Sequence, residues 1–159
     1  MIYVKTARSA ASAAFAALWL LLSCVPLAGH AQTGPQPKLP TIPLTAGMHV
    51  IQAELATTPT QQMIGMMQRR SMGANEGMLF VYDAPAPLCF WMRNTLIPLT
   101  IAFIGDDGRI VGLADMQPLD ETSHCTPEPV RFALEMNQGW FKKRGLKKGD
   151  RLRGAPFGS

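Results

Sequence analysis

Phe90-Trp91-Met92-Arg93-Asn94-Thr95-Leu96-Ile97-Pro98-Leu99 opens the most apolar part of the chain beyond its N-terminal thirty residues, and its reading decides the fold. The run that follows, residues 99–104, is apolar on both faces, which predicts a central strand covered on both sides. Pro98 fits only at the start of that strand, where a missing donor does little harm. Asp107-Gly108 is a favoured dipeptide for a two-residue type I′ turn, so residues 99–106 and 109–116 are expected to pair as a hairpin. That register sets Ile104 opposite Val111, Phe103 opposite Gly112 and Ala102 opposite Leu113. An aromatic ring facing a strand glycine covers the bare backbone there. Upstream, residues 89–93 read as a further strand, with Phe90 and Trp91 in the core.

The ends of the chain differ from this middle. Lys5 and Arg8 precede an apolar, Ala-rich run over residues 10–22, and small residues surround Ala31. This is the pattern of a secretory signal peptide, with the cut between Ala31 and Gln32. The run is short for a membrane span, so none is expected in the mature chain. Leu21-Leu22-Ser23-Cys24 resembles a lipobox, and the alternative is a lipoprotein anchored at Cys24. The expected location is periplasmic or secreted. Residues 32–46 carry Pro35, Pro37, Pro40 and Pro43 with few large apolars, and read as a Pro-rich linker. One domain, residues 47–155, remains, and it is long enough to bury a core of its own.

Without Lys5 and Arg8, 13 basic residues stand against 11 acidic ones. The balance is uneven. Lys142, Lys143, Arg144, Lys147, Lys148, Arg151 and Arg153 face only Asp150. Such an end suits an anionic lipid, a cell-wall polymer or an acidic envelope protein, or is simply a solvated face. Nucleic acid is not among the expected partners. Two cysteines outlast signal cleavage, Cys89 and Cys125. In an oxidising compartment an even pair reads as a disulfide, and the alternative is two buried thiols.

Within the domain, residues 48–56 alternate with period two, Ile51, Ala53 and Leu55 on one face, Gln52 and Glu54 on the other. Thr58, Pro59 and Gln61 form a helix-start signal, with Thr58 as N-cap. Thr60, Met63, Ile64 and Met67 then share one helical face. Residues 77–82 read as a strand broken by Asp83-Ala84-Pro85. Residues 117–130 form a loop holding Cys125, and residues 132–136 form another strand. Asn137 is placed to cap a short helix over residues 139–144, with Gly145 as its stop. A last short strand is expected near residues 151–153. The fold class is mainly β, a compact barrel- or sandwich-like sheet with one or two short helices.

Glu54-Leu55-Ala56, Gly65-Met66-Met67, Gly77-Met78-Leu79-Phe80-Val81, the 90–99 block, Ile101-Ala102-Phe103-Ile104, Ala133-Leu134-Glu135 and Gly149-Asp150 occur in this order. Together they resemble domain of unknown function family 192. The Trp-Met-Arg-Asn-Thr block is the specific part. The resemblance implies a compact, mainly β fold and supplies no reaction. Family members often carry Lys at Arg93 and an acid at Thr100, so no acidic role carries over to Thr100.

The chemistry the residues permit is narrow. No phosphate loop, His-Glu-x-x-His, Cys-x-x-Cys or Gly-x-Ser-x-Gly motif is present. No catalytic residue, metal ligand or cofactor is assigned. The first reading is a non-enzymatic binding module of the cell envelope, taking a small ligand, a polymer or another envelope protein. Its candidate surface is Trp91, Asn94, Thr95, Glu135 and Asn137. Asn94 and Thr95 either bond the local backbone or line a polar pocket. Glu135 lies in an otherwise apolar strand; buried there it needs a partner, which Arg93 or Arg131 is placed to supply. A second reading is an envelope hydrolase using a Glu or Cys side chain. A third is copper binding by Cys89, Met92, His124 and Cys125, whose soft sulfurs suit Cu(I).

Overall fold

The computed structural model of the protein describes residues 34–157. The expected signal peptide, its cut between Ala31 and Gln32, and the alternative anchor at Cys24 lie outside the described residues. In chain order the elements are β1 (Thr41–Ala46), β2 (His49–Ala56), α1 (Pro59–Ile64), β3 (Glu76–Ala86), β4 (Cys89–Phe90), β5 (Leu99–Ile104), β6 (Ile110–Met116), β7 (His124–Cys125), β8 (Val130–Asn137), α2 (Trp140–Lys143) and β9 (Leu152–Arg153). Strand takes 44% of the described residues against 8% helix, so the sheet dictates the architecture.

Seven strands form one sheet in the order β6-β5-β8-β3-β2-β1-β9, and β4 pairs with β7 separately. Only β2 and β3 run parallel, which requires the α1 crossover between them. The two ends of the strand order meet. Leu152 N–H donates to Gly108 C=O at 2.9 Å, and Ile110 N–H donates to Asp150 C=O at 2.8 Å. The sheet therefore curls into a half-barrel whose outer strands are stitched together by the β5–β6 tip.

Alternation along the strands divides the core into two. Inside the curl lie Leu44, Ile51, Leu79, Ile104, Phe132, Leu134 and Met136, closed at one end by Trp140 and Phe141 of α2. On the outer face lie Met78, Phe80, Leu99, Ile101 and Phe103. That face is covered by Met66 after α1 and by Leu88, Met92 and Ile97 of a long arm. β5 is buried along its whole length, because it supplies both cores at once.

Several expectations need correction. Residues 41–46 of the expected linker form β1, paired to β2 along its length. Proline content misled there: Pro43 removes a single donor, while Ile42, Leu44 and Ala46 alternate onto the inner core. β3 does not stop at Asp83 but continues past an irregularity to pair Ala86 with Val130. β4 is two residues long, since the chain turns at residues 92–95. Glu54, on the face opposite Ile51 and Ala53, is buried on the covered outer side.

The hairpin joins the expected strands, with Phe103 opposite Gly112 and Ala102 opposite Leu113. Its tip differs. Gly108 N–H donates to Gly105 C=O and Gly105 N–H to Arg109 C=O, both at 2.9 Å, and Ile104 faces Ile110 rather than Val111. Gly108 alone in the tip takes positive φ, +77°, so the turn is the longer bulged type and not type I′.

The two helices divide. α1 begins as expected: Gln61 N–H donates to Thr58 Oγ1, and the Gln61 side chain accepts from Thr58 N–H. Its apolar face, however, is not buried, and Met63 is 70% exposed. α2 is capped by Gly139 at φ +78°, not by Asn137, which is still the last residue of β8.

Candidate functional site

The site is built by the arm that crosses the outer face of the sheet between β4 and β5. Phe90 anchors the arm, meeting Phe80 edge-on at 5.0 Å between ring centroids and Phe103 at 6.1 Å. Leu88, Met92 and Ile97 sink into the outer core. Thr95 N–H donates to Met92 C=O at 2.9 Å, closing a turn with Asn94 at φ +58°. Asparagine tolerates that left-handed conformation better than most residues, which accounts for Asn94 at this corner. The Asn94 carbonyl then accepts Gln68 N–H at 2.8 Å, tying the arm to the turn that follows α1. Leu119 N–H reaches Thr95 C=O at 3.1 Å and Met92 N–H reaches Asp120 C=O at 2.7 Å, securing its other side.

Between the arm and α1 lies a cavity of about 620 Å³. Met63, Met66, Phe80, Tyr82 and Phe90 form much of its wall, with Trp91 and Arg93 on the arm. Asn94, Thr95 and Glu135 are among its polar lining. The structure thus brings Trp91, Asn94, Thr95 and Glu135 together, and separates Asn137 from them. Asn137 Nδ2 donates to Gly73 C=O at 2.9 Å, so that side chain holds the α1–β3 connection instead. Neither Asn94 nor Thr95 makes a side-chain hydrogen bond among the described residues, and the local backbone bonding considered for them does not occur.

Glu135 is 4% exposed and sits on β8 between Met78 of β3 and Ile101 of β5. Its carboxyl has no hydrogen bond or ion pair among the described residues. The arginines expected to partner it are engaged elsewhere. Arg93 pairs with Glu121 at 2.6 Å and lies over the Trp91 ring at 4.1 Å. Arg131 Nε donates to Tyr82 C=O at 3.1 Å. Burial alone pushes the Glu135 carboxyl up to about 8, so it is neutral at pH 7. Burial also raises the Tyr82 phenol, and the nearby Glu135 charge adds to that.

Trp91 was expected in the core. It is 44% exposed, because the arm turns immediately after β4 and leaves that ring at the rim under Arg93. Residue-by-residue reading missed Gln62, Met66, Phe80 and Tyr82. Met78, Phe80 and Tyr82 share one face of β3 by simple alternation, and that parity was the available signal once Met78 is set beside Glu135.

Cys89 and Cys125 are disulfide-bonded, directly opposite each other on β4 and β7 with Cα atoms 4.0 Å apart. Cys89 also lines the cavity. The thiols invoked for copper are therefore bonded to each other, and no group of three His, Cys, Asp or Glu side chains able to hold a metal occurs among the described residues. The basic end is partly consumed: Arg144 stacks on Trp140 at 4.2 Å and reaches Asn75 Oδ1 at 2.8 Å, and Arg151 pairs with Asp107 at 2.8 Å. Lys142, Lys143, Lys148 and Arg153 stay exposed.

Solved structures share this fold. A Sinorhizobium meliloti protein described as a candidate transcription regulator superposes with a TM-score of 0.71 at 36% identity, over 76% of this chain and 98% of that one. A Novosphingobium aromaticivorans protein of unknown function gives 0.71 at 38% identity, over 76% and 91%. No curated protein matches the chain. The family model described as "Uncharacterized ACR" matches residues 42–154, which include the half-barrel strands, the arm and Glu135, and the chain therefore belongs to the DUF192 family.

Proposed function

We propose that the chain is exported and acts as a non-enzymatic binding module of the cell envelope, seating a small ligand in the cavity between α1 and the arm. One observation carries this reading: Asn94, Thr95 and Glu135 line an apolar-walled cavity without a hydrogen bond from any of their side chains to the described protein. Thr95 and Glu135 are buried while Asn94 stands at the exposed mouth, and buried polar groups are normally paired, so two unpaired ones facing one space suit a missing partner. The volume, about 620 Å³, lies in the range of small-molecule sites.

Binding is favoured over hydrolysis by what surrounds the reactive groups. A carboxylate base must reach the proton it abstracts, and Glu135 holds no nucleophile by a hydrogen bond. Cys89 and Cys125 have no free thiolate while bonded to each other. Export is supported by the Lys5 and Arg8 flank, the apolar run and the small residues at Ala31, together with a disulfide suited to an oxidising compartment. Cleavage by signal peptidase would leave Gln32 as the first residue, whereas lipoprotein processing would leave Cys24.

The test is native mass spectrometry of the protein recovered from the envelope of its host. A ligand adduct is expected on the wild type and absent from Asn94→Ala and Glu135→Gln proteins of equal fold. An equal adduct on all three, or none on any, rejects the cavity as the binding site. The intact mass of the same sample reads the N-terminus, and uncleaved protein confined to the cytoplasm rejects export.

A further inference from the structure

We infer that the ligand of this cavity is an organic ammonium ion, its cationic head seated against the Glu135 carboxylate and its carbon body against Phe80, Tyr82 and Phe90. The inference rests on the cavity being a binding site and names the class of molecule it takes.

Three observations select the charge. Glu135, 4% exposed and lining the cavity, is an acid with no hydrogen bond or ion pair to a cation among the described residues. Three arginines of that face are engaged: Arg69 with Glu54 at 2.5 Å, Arg93 with Glu121 at 2.6 Å, and Arg131 with the Tyr82 carbonyl at 3.1 Å. An anionic head would therefore meet a buried acid, while Arg93, the arginine lining the cavity, is already paired with Glu121. The rings of Phe80, Tyr82 and Phe90 line the same space, and aromatic faces attract cations, most of all where water is excluded. Asn94 and Thr95 add neutral oxygen acceptors for the remaining ammonium protons.

The proton balance follows from the neutral state of the empty site. Glu135–COOH and R–NH₃⁺ become a Glu135–COO⁻···⁺H₃N–R pair, and the carboxyl proton leaves to solvent. The burial that raises the empty carboxyl to about 8 is offset once a cation lies beside it. The titratable and charged groups on the Glu135 face of the elements packed around it are Tyr82 and the Lys38-paired Glu76 on β3, Arg93 on the arm, Arg131 on β8, and the Glu54–Arg69 pair beside α1. The pairs are internally neutral, Arg131 stays protonated, and Tyr82 is pushed to still higher pH, so Glu135 is the group that releases the proton.

Calorimetry with three probes that differ only in head group tests this: octylammonium, octanol and octanoate. At pH 7 the ammonium is expected to bind at least about tenfold more tightly than the alcohol, a gap of one decade in Kd. Titration in buffers of different ionisation heat should show release of about one proton per ammonium bound. In Glu135→Gln the preference over the alcohol and the proton release should both vanish. Asn94→Ala should weaken the ammonium while leaving the proton release in place. Tighter binding of the alcohol or the carboxylate overturns the ammonium assignment and leaves the cavity a binding site. Binding of none of the three overturns both. Retention of the preference by Glu135→Gln overturns the role of that carboxyl.

Discussion

Arg69 grips Glu54 through two parallel bonds, Nη1 to Oε1 at 2.5 Å and Nη2 to Oε2 at 2.7 Å, with both side chains buried. The same sheet face holds Glu135 unpaired two strands away. Glu54 Oε2 also accepts Leu39 N–H at 2.8 Å, so one carboxylate fastens both the N-terminal approach and the turn after α1 to β2. Removing one partner strands a buried charge, whereas removing both does not. Arg69→Met is therefore expected to lower the unfolding free energy by about 3–5 kcal/mol. The double variant Glu54→Gln/Arg69→Met should lose clearly less than the sum of the single losses. Urea denaturation of the three proteins measures both; additive losses would mean that the pair is not coupled.

Glu135 has the opposite electrostatic consequence. Its folded carboxyl titrates at about 8, against an ordinary value of 4.5. Between those values the folded protein holds a proton that the unfolded chain has released, so stability falls as pH rises from about 4.5 to 8. The fall attributable to this one group approaches ~5 kcal/mol and levels off above pH 8. Glu135→Gln, neutral throughout, should remove that slope and leave the variant more stable than the wild type at pH 8. Denaturant midpoints at pH 5 and pH 8 decide it, and parallel wild-type and variant profiles would show that the carboxyl is hydrated in the folded state.

Much of this architecture was legible because local chemistry and tertiary packing agree. The doubly apolar run at residues 99–104 is central and buried, and Thr58-Pro59-Thr60-Gln61 caps α1 as its residue types require. Phe103 lies across from Gly112 as alternation demands. Reading failed where long-range partners overrode composition. The prolines of residues 35–43 suggested solvent, but β1 is held between β2 and β9. For Glu54, alternation gave the parity and not what covers that face. Trp91, Asn94, Thr95 and Glu135 line one cavity, since the arm and β8 both border the central strand. Asn137 was grouped with them by proximity in sequence to Glu135. Two residues along a strand return a side chain to the same face, but β8 has by then passed the cavity.

Gly108 stands where the half-barrel closes. Its φ is +77°, and a Cβ there would strike the Leu152 carbonyl oxygen. Its own carbonyl accepts Leu152 N–H at 2.9 Å. An alanine at position 108 meets both the left-handed backbone penalty, about 1–2 kcal/mol, and the steric conflict. Gly108→Ala should lower stability by about 2–4 kcal/mol in total. Amide exchange should accelerate at Ile110 and Leu152, the donors of the seam, and stay slow in β5 and β8. Uniform acceleration across the sheet would mean that closure of the seam and folding of the sheet are one event.

The Cys89–Cys125 bond acts on the arm and not on the sheet. It joins β4 to β7, and that two-stranded ladder is separate from the seven-stranded sheet. With a sequence separation of 36, the chain-entropy model assigns the link about 3.5–4 kcal/mol. Cys89→Ser/Cys125→Ser is expected to lose about that much in denaturant, with an unchanged far-ultraviolet spectrum at low denaturant. The loss should be spatially selective. Phe90 follows Cys89 directly and rests on Phe80 and Phe103, so without the bond the arm is held by those rings and by its backbone bonds to residues 68, 119 and 120. Hydrogen exchange in residues 88–97 should therefore rise at least about tenfold, as local opening there becomes roughly 1.4 kcal/mol easier, while β5 and β8 amides exchange only through global unfolding. Because Cys89 forms part of the cavity wall, the same variant should bind its ligand more weakly even under conditions where it is fully folded. Unchanged exchange in the arm would place the stabilising effect entirely in the unfolded chain.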